Sequence, residues 1–169
     1  MSKPEVWLRG PLPHFLPVLQ PVAHSLLQCR EEVASTIPDL TREQFWQRPN
    51  DAASVGFHVL HATGSLDRLL TYARGEALSE TQLIALATES RLDDKSSSAG
   101  DLFDEFNRGI ERALDQLRST PESILLETRL VGRARLQSTV LGLLFHAAEH
   151  TQRHAGQMAT TAKFVRAPG

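Results

Sequence analysis

Histidines are unevenly distributed along this chain. Three stand four residues apart, His146, His150 and His154, in the stretch HAAEHTQRHAGQ, and two more, His58 and His61, lie in SVGFHVLHATGSLDR. Neutral imidazole nitrogens are ligands for Zn, Ni, Fe and Cu. On an α-helix each residue advances by about 100°, so positions i and i+4 share a face with their Cβ atoms about 5–6 Å apart. His150 and His154 can therefore hold one ion together, in the geometry that HExxH zinc sites use. The catalytic base of that motif is missing, because Thr151 follows His150 where a Glu is needed. Four residues overshoot a full turn by about 40°, so His146, His150 and His154 cannot all chelate one ion from a straight helix. The third ligand is expected from a second helix, and there the spacing leaves His58 and His61 both open. The competing reading is a solvated face: His150, His154, Gln157 and Thr161 lie away from the most apolar side of their helix. His146 fits better as a residue behind the ligands or in helix packing. His14 and His24 carry no pattern.

Such a site needs helices to carry it, and the apolar periodicity supplies them. Val22, Leu26, Cys29 and Val33 recur at helical spacing, predicting a first helix from Leu16 or Pro21 to Thr36, stopped by Ile37-Pro38. Thr41 to Gln44 reads as a capping box opening a short turn towards Trp46. Ser54 is the expected N-cap of a second long helix that runs to Arg74 and ends at Gly75. A shorter helix is expected over Ser79–Glu89, with Leu83, Leu86 and Ala87 as its apolar side. After a loop at Asp93 to Asp101, a third long helix spans Gly100–Ser119, with a stripe through Leu102, Phe106, Ile110, Ala113 and Leu117. Ile124 to Arg135 reads as an extended or hairpin-like crossover around Gly132. The fourth long helix is expected from Leu136 to about Phe164, with Leu141, Leu144, Ala148, Ala155, Met158 and Ala162 inward. Four long amphipathic helices predict an all-α four-helix bundle with a short extra helix between the second and third. The whole of residues 1–169 is expected to form one domain, with residues 1–14 an irregular arm.

Bulk composition narrows the function. The 169 residues suffice for one buried core. Formal net charge is −2 and no basic stripe is visible, which argues against a nucleic-acid partner. The single cysteine, Cys29, cannot form an internal disulfide, sits on an apolar stripe and reads as core. Prolines 4, 11, 13, 17 and 21 interrupt the first residues, leaving no apolar run of secretory-signal or membrane-helix length. A cytoplasmic protein is the expectation.

The residues resemble the DinB-like (DinB/YfiT-like) superfamily of metal-dependent enzymes over about residues 15–165. The most specific part is HTQRHAGQ, His150 to Gln157, a His-x-x-x-His step followed by a residue, Gly and Gln in the last long helix. The other is the start of the second helix, where family members often have Trp-Ser and a ligand histidine seven residues after the Ser. Here Ala53-Ser54 stands at that start and His61 seven residues on. The resemblance thus selects His61 over His58 and implies a triad of His61, His150 and His154. Ala53 departs from the usual aromatic, and His58 and His146 are extra histidines one turn before ligand positions.

Three imidazoles with open positions make a catalytic type of metal site, Zn or Ni first among the candidates. A divalent ion there lowers the pKa of a coordinated water or deprotonates a thiol. Relatives include transferases and isomerases that use bacillithiol or mycothiol, so the resemblance implies attack of an activated low-molecular-weight thiol on a small electrophile. Arg68 and Arg153 could hold a carboxylate of that thiol, and Gln157 could orient His154 or the substrate. Glu149 points about 100° from His150 and suits a surface role. Hydrolysis at the metal, and a non-catalytic metal-stabilised bundle acting by association, are the alternatives. A homodimer through helix faces completes the expectations.

Overall fold

The computed structural model describes residues 3–89 and 97–166, so part of the expected 93–101 loop lies outside them. The chain is mostly helical, with six α-helices and one two-stranded sheet among the described residues. Helix α1 (Gln20–Thr36) follows a 3-10 turn at Pro17–Leu19. Helix α2 (Arg42–Trp46) opens with the capping box: the Gln44 amide donates to Thr41 Oγ1 at 3.2 Å, and the Thr41 amide to Gln44 Oε1 at 3.0 Å. Helix α3 (Val55–Ala73) is capped by Ser54, whose Oγ accepts the Phe57 amide at 3.1 Å. Gly75 closes it at φ +80°, the left-handed conformation that glycine adopts without a Cβ penalty. Helix α4 (Glu80–Glu89) and helix α5 (Ala99–Ser119, capped by Ser98) follow.

Strands β1 (Thr128–Val131) and β2 (Leu136–Thr139) pair antiparallel, Thr128 against Thr139 and Val131 against Leu136, around a turn with Gly132 at φ +65°. Helix α6 (Val140–Arg166) therefore starts four residues later than the periodicity predicted. The cause is local. Leu136 to Thr139 finds its backbone partners in β1, and Thr139 Oγ1 then accepts the Gly142 amide at 3.0 Å, as an N-cap does.

Helices α1 and α3 each pack on both α5 and α6, so the four long helices enclose one core. Phe45, Leu66, Phe106, Ile110, Leu144 and Met158 are among its fully buried side chains. Cys29 lies in it with no exposure, its Sγ 3.1 Å from Gln152 Oε1. The inward residues of α6 are covered by the chain's own helices. The expectation for α4 fails: Leu83 and Leu86 are each 44% exposed and Ala87 lies in solvent, while Glu89 is that helix's buried residue. Three or four apolar side chains suit a buried stripe only where a neighbour lies against them, and here α4 meets α3 through polar contacts. Gln82 Nε2 donates to Asp67 Oδ2 at 2.6 Å and to Thr71 Oγ1 at 2.8 Å. At the N-terminus, Arg9 and Lys3 clamp the short 3-10 turn Val6–Arg9 onto Glu31 of α1. No helix of the described residues is long and apolar enough to cross a membrane.

Candidate metal centre

Helix α3 carries His58 and His61 and helix α6 carries His146, His150 and His154, and these two helices pack directly on each other. Where they cross, His61, His150 and His154 each place one ring nitrogen so that the three lie within 4.8 Å of one another. His61 Nε2 is 3.0 Å from His150 Nε2. Metal–nitrogen bonds of about 2.0–2.1 Å would set a tetrahedral N···N edge of roughly 3.3 Å, so these donors fit one divalent ion after small adjustments. His154 is buried and the other two half-buried. The ring of Phe57 stacks on His61, with centroids 5.7 Å apart and planes 11° from parallel.

A metal ligand must offer a lone pair, so the imidazoles must be neutral. Burial, then the neighbouring His61, His150 and His58 rings, push His154 down to about 3. Burial and the same His61 ring also lower His150 and His58. Desolvation disfavours the imidazolium, and like charges crowded at one helix crossing disfavour it further.

The other histidines and the arginines fall around this triad. His58 Nδ1 lies 3.0 Å from His154 Nδ1, which leaves Nε2 of His154 to face the other two rings and sets His58 behind that candidate ligand. His146 turns out to the surface and bonds Glu149 Oε1 through Nδ1 at 2.7 Å. Arg153 donates to both oxygens of Glu149 at 2.8 Å, so Glu149 links the two. Arg153 and Gln157 are exposed and, with His58, line a cleft of about 610 Å³ whose other walls include Ala52, Ala53 and Gly156. Arg68 does not line that cleft. It is buried, and its Nη2 lies 3.2 Å from Glu89 Oε2. The same Glu89 oxygen lies 3.1 Å from His61 Nδ1. Sequence reasoning missed Glu89, since nothing in the spacing ties the end of α4 to a candidate ligand on α3. The one usable signal was Arg68, a cation on the His61 face that needs an anion when buried.

Spacing left His58 and His61 undecided, and the structure brings His61 to the two α6 histidines while His58 stands one contact behind. A search of curated proteins finds no match. The family model for the DinB superfamily matches residues 19–158, which takes in α1, α3 and the His150–Gln157 stretch. This protein belongs to the DinB superfamily.

Proposed function

We propose that the chain is a metal-dependent enzyme that joins a low-molecular-weight thiol, of the bacillithiol or mycothiol type, to a small electrophile. The carrying observation is the convergence of three imidazoles from two helices beside a cleft rimmed by Arg153 and Gln157. The four long helices are read as a four-helix bundle, a scaffold that builds metal sites from inward side chains on facing helices. His61, His150 and His154 would hold the ion, Zn or Ni by donor chemistry. When bound, it would supply Lewis acidity that lowers the pKa of a thiol reaching it.

The chain's own residues would do the rest. His58 would accept a hydrogen bond from the Nδ1–H of His154 and keep that ring turned inward. Arg153 pairs with Glu149 from an exposed position and retains guanidinium donors for a carboxylate of the thiol. Gln157 offers an amide at the same rim. Ala52, Ala53 and Gly156 leave the cleft open, at a volume that suits a small molecule. In the transfer, the thiol proton leaves to solvent, sulfur forms the bond to the electrophilic carbon, and the leaving group departs with its electron pair. A homodimer is part of this proposal, and a monomer by sedimentation at micromolar concentration would remove it.

The test is metal content by plasma mass spectrometry on tag-free protein, beside His61→Ala and His154→Ala, followed by thiol-consumption assays with an electrophilic chromophore. About one Zn or Ni per chain, lost in both variants, with metal-dependent thiol consumption, is the expected result. Turnover by water alone would turn the reading to hydrolysis. No metal after soaking with Zn or Ni would leave a helical protein whose histidines serve packing or association.

A further inference from the structure

Helix α4 is held to the rest of the molecule in an unusual way. Its apolar side chains Leu83, Ile84 and Leu86 are exposed, and the residue it buries is a carboxylate, Glu89, at 8% exposure. An ionised carboxylate out of water is costly unless paired and hydrogen-bonded. Arg68 supplies part of that compensation, through Nη1 at 3.4 Å and Nη2 at 3.2 and 3.4 Å. These are long for an arginine–carboxylate pair, for which about 2.7–2.9 Å is usual. The carboxylate does not sit squarely on the guanidinium. It is shared with His61, whose Nδ1 lies 3.1 Å from Oε2.

The space for this arrangement comes from Gly64. A Cβ there would stand 2.8 Å from both Arg68 Nη1 and Glu89 Oε1. A glycine inside a helix is unfavourable relative to alanine, and at this position its lack of a side chain lets the pair close against α3.

We infer that Glu89 is a positioning residue for the metal centre: held by Arg68 and admitted by Gly64, it accepts a hydrogen bond from the Nδ1–H of His61 and so turns the Nε2 lone pair towards His150 and His154. The alternative tautomer would aim the Nδ1 lone pair at a carboxylate, so the proton is held on Nδ1. His61 then meets His150 Nε2 as an acceptor, and His150 carries its proton on Nε2 while metal-free. The Nδ1 of His150, buried and without a hydrogen-bond partner among the described residues, agrees with that assignment. The three ligands are thus unequally prepared. His61 is backed by a carboxylate, His154 by a neutral imidazole, and His150 by no hydrogen-bond partner among the described residues. Outer partners of this kind change metal affinity by about 10–100-fold.

The inference rests on the metal reading above, and its first readout needs no metal. In the chelator-treated full chain, long-range ¹⁵N–¹H correlation of the imidazoles should show His61 as the Nδ1–H tautomer. Replacing the buried pair together, Arg68→Met with Glu89→Met, leaves no unpaired buried charge and preserves the fold by circular dichroism. In that variant His61 should move towards the Nε2–H form, and Zn affinity by chelator competition should fall about 10–100-fold with stoichiometry near one. Gly64→Ala, which displaces the carboxylate with no change of charge, should shift both readouts in the same direction by less. An unchanged tautomer in the double variant overturns the inference, as does unchanged Zn affinity beside a changed tautomer. A wild-type chain that binds no Zn would instead overturn the metal reading, while the metal-free tautomer still decides whether Glu89 orients His61.

Discussion

A single methyl group added at Gly56 sets two effects of known size against each other. Gly56 is buried in the first turn of α3, two residues ahead of His58. A Cβ there would stand 2.6 and 2.7 Å from Trp46 Cζ3 and Cε3 and 2.8 Å from Phe45 Cε1. Carbon atoms in contact prefer about 3.5–4.0 Å, so one or both rings must retreat by roughly 1 Å. They have little room. Phe45 has no exposure, Trp46 is buried, and the two pack edge-on with centroids 5.2 Å apart. Overpacking of this kind costs about 1–3 kcal/mol. Alanine is favoured over glycine in a helix interior by about 0.8–1.0 kcal/mol, and less in a first turn. The packing penalty wins, and Gly56→Ala should be destabilised by roughly 1–2 kcal/mol. At about 2–4 °C per kcal/mol for a chain of this size, Tm should fall by about 2–8 °C. Thermal and urea unfolding followed by far-ultraviolet circular dichroism would measure it. A Tm at or above that of the wild type would show that the rings yield freely and that helix propensity decides, which would refute the reasoning.

Three further outcomes are expected. Burial, with Glu32 nearby, pushes the Cys29 thiol up to about 12, so iodoacetamide should not modify the folded chain in mildly alkaline buffer but should modify it in denaturant; rapid native-state reaction would contradict the buried assignment. Glu31 is lowered from 4.5 to about 2 by its hydrogen bond from Arg9, with Lys3 assisting, so its contribution is present above about pH 4.5 and is lost as pH falls towards 2. The pair is partly exposed and screened, so a modest loosening of the Val6–Arg9 turn over that window, and in high salt, should register in Trp7 fluorescence and limited proteolysis; invariant docking down to pH 2 would refute it. His58→Leu should keep about one metal per chain while weakening binding by about 10–100-fold, whereas loss of all metal would make His58 a ligand.

Much of the fold was readable because its signals are local. The Thr41–Gln44 capping box, the Ser54 cap and the Gly75 stop each act within four residues, and each is found where the sequence placed it. The stripe of α5 was readable because Phe106, Ile110, Ala113, Leu114 and Leu117 all face one core. Failures came where a distant segment decided the outcome. Leu136 to Thr139 carries no strong helix-breaking signal of its own, and pairing with Thr128 to Val131 makes it a strand. Leu83 and Leu86 read as a buried stripe, yet each remains 44% exposed.

The site divides along the same line, and the division has a physical reason. His150 and His154 announce themselves because one helix fixes their relation. Choosing His61 over His58 required the way α3 crosses α6, which spacing leaves open and which the family resemblance supplied. Glu89 was invisible because its role exists only after α4 has folded back onto α3. It is nonetheless the group on which the preparation of His61 depends. A ligand set seen on one helix therefore understates its centre: the residues that set ring orientation come from elsewhere in the chain, and they are chosen by charge balance. Arg68 is the link between the two levels. A buried guanidinium on a ligand face demands a carboxylate, and that carboxylate, held between Arg68 and His61, decides which nitrogen of His61 faces the centre.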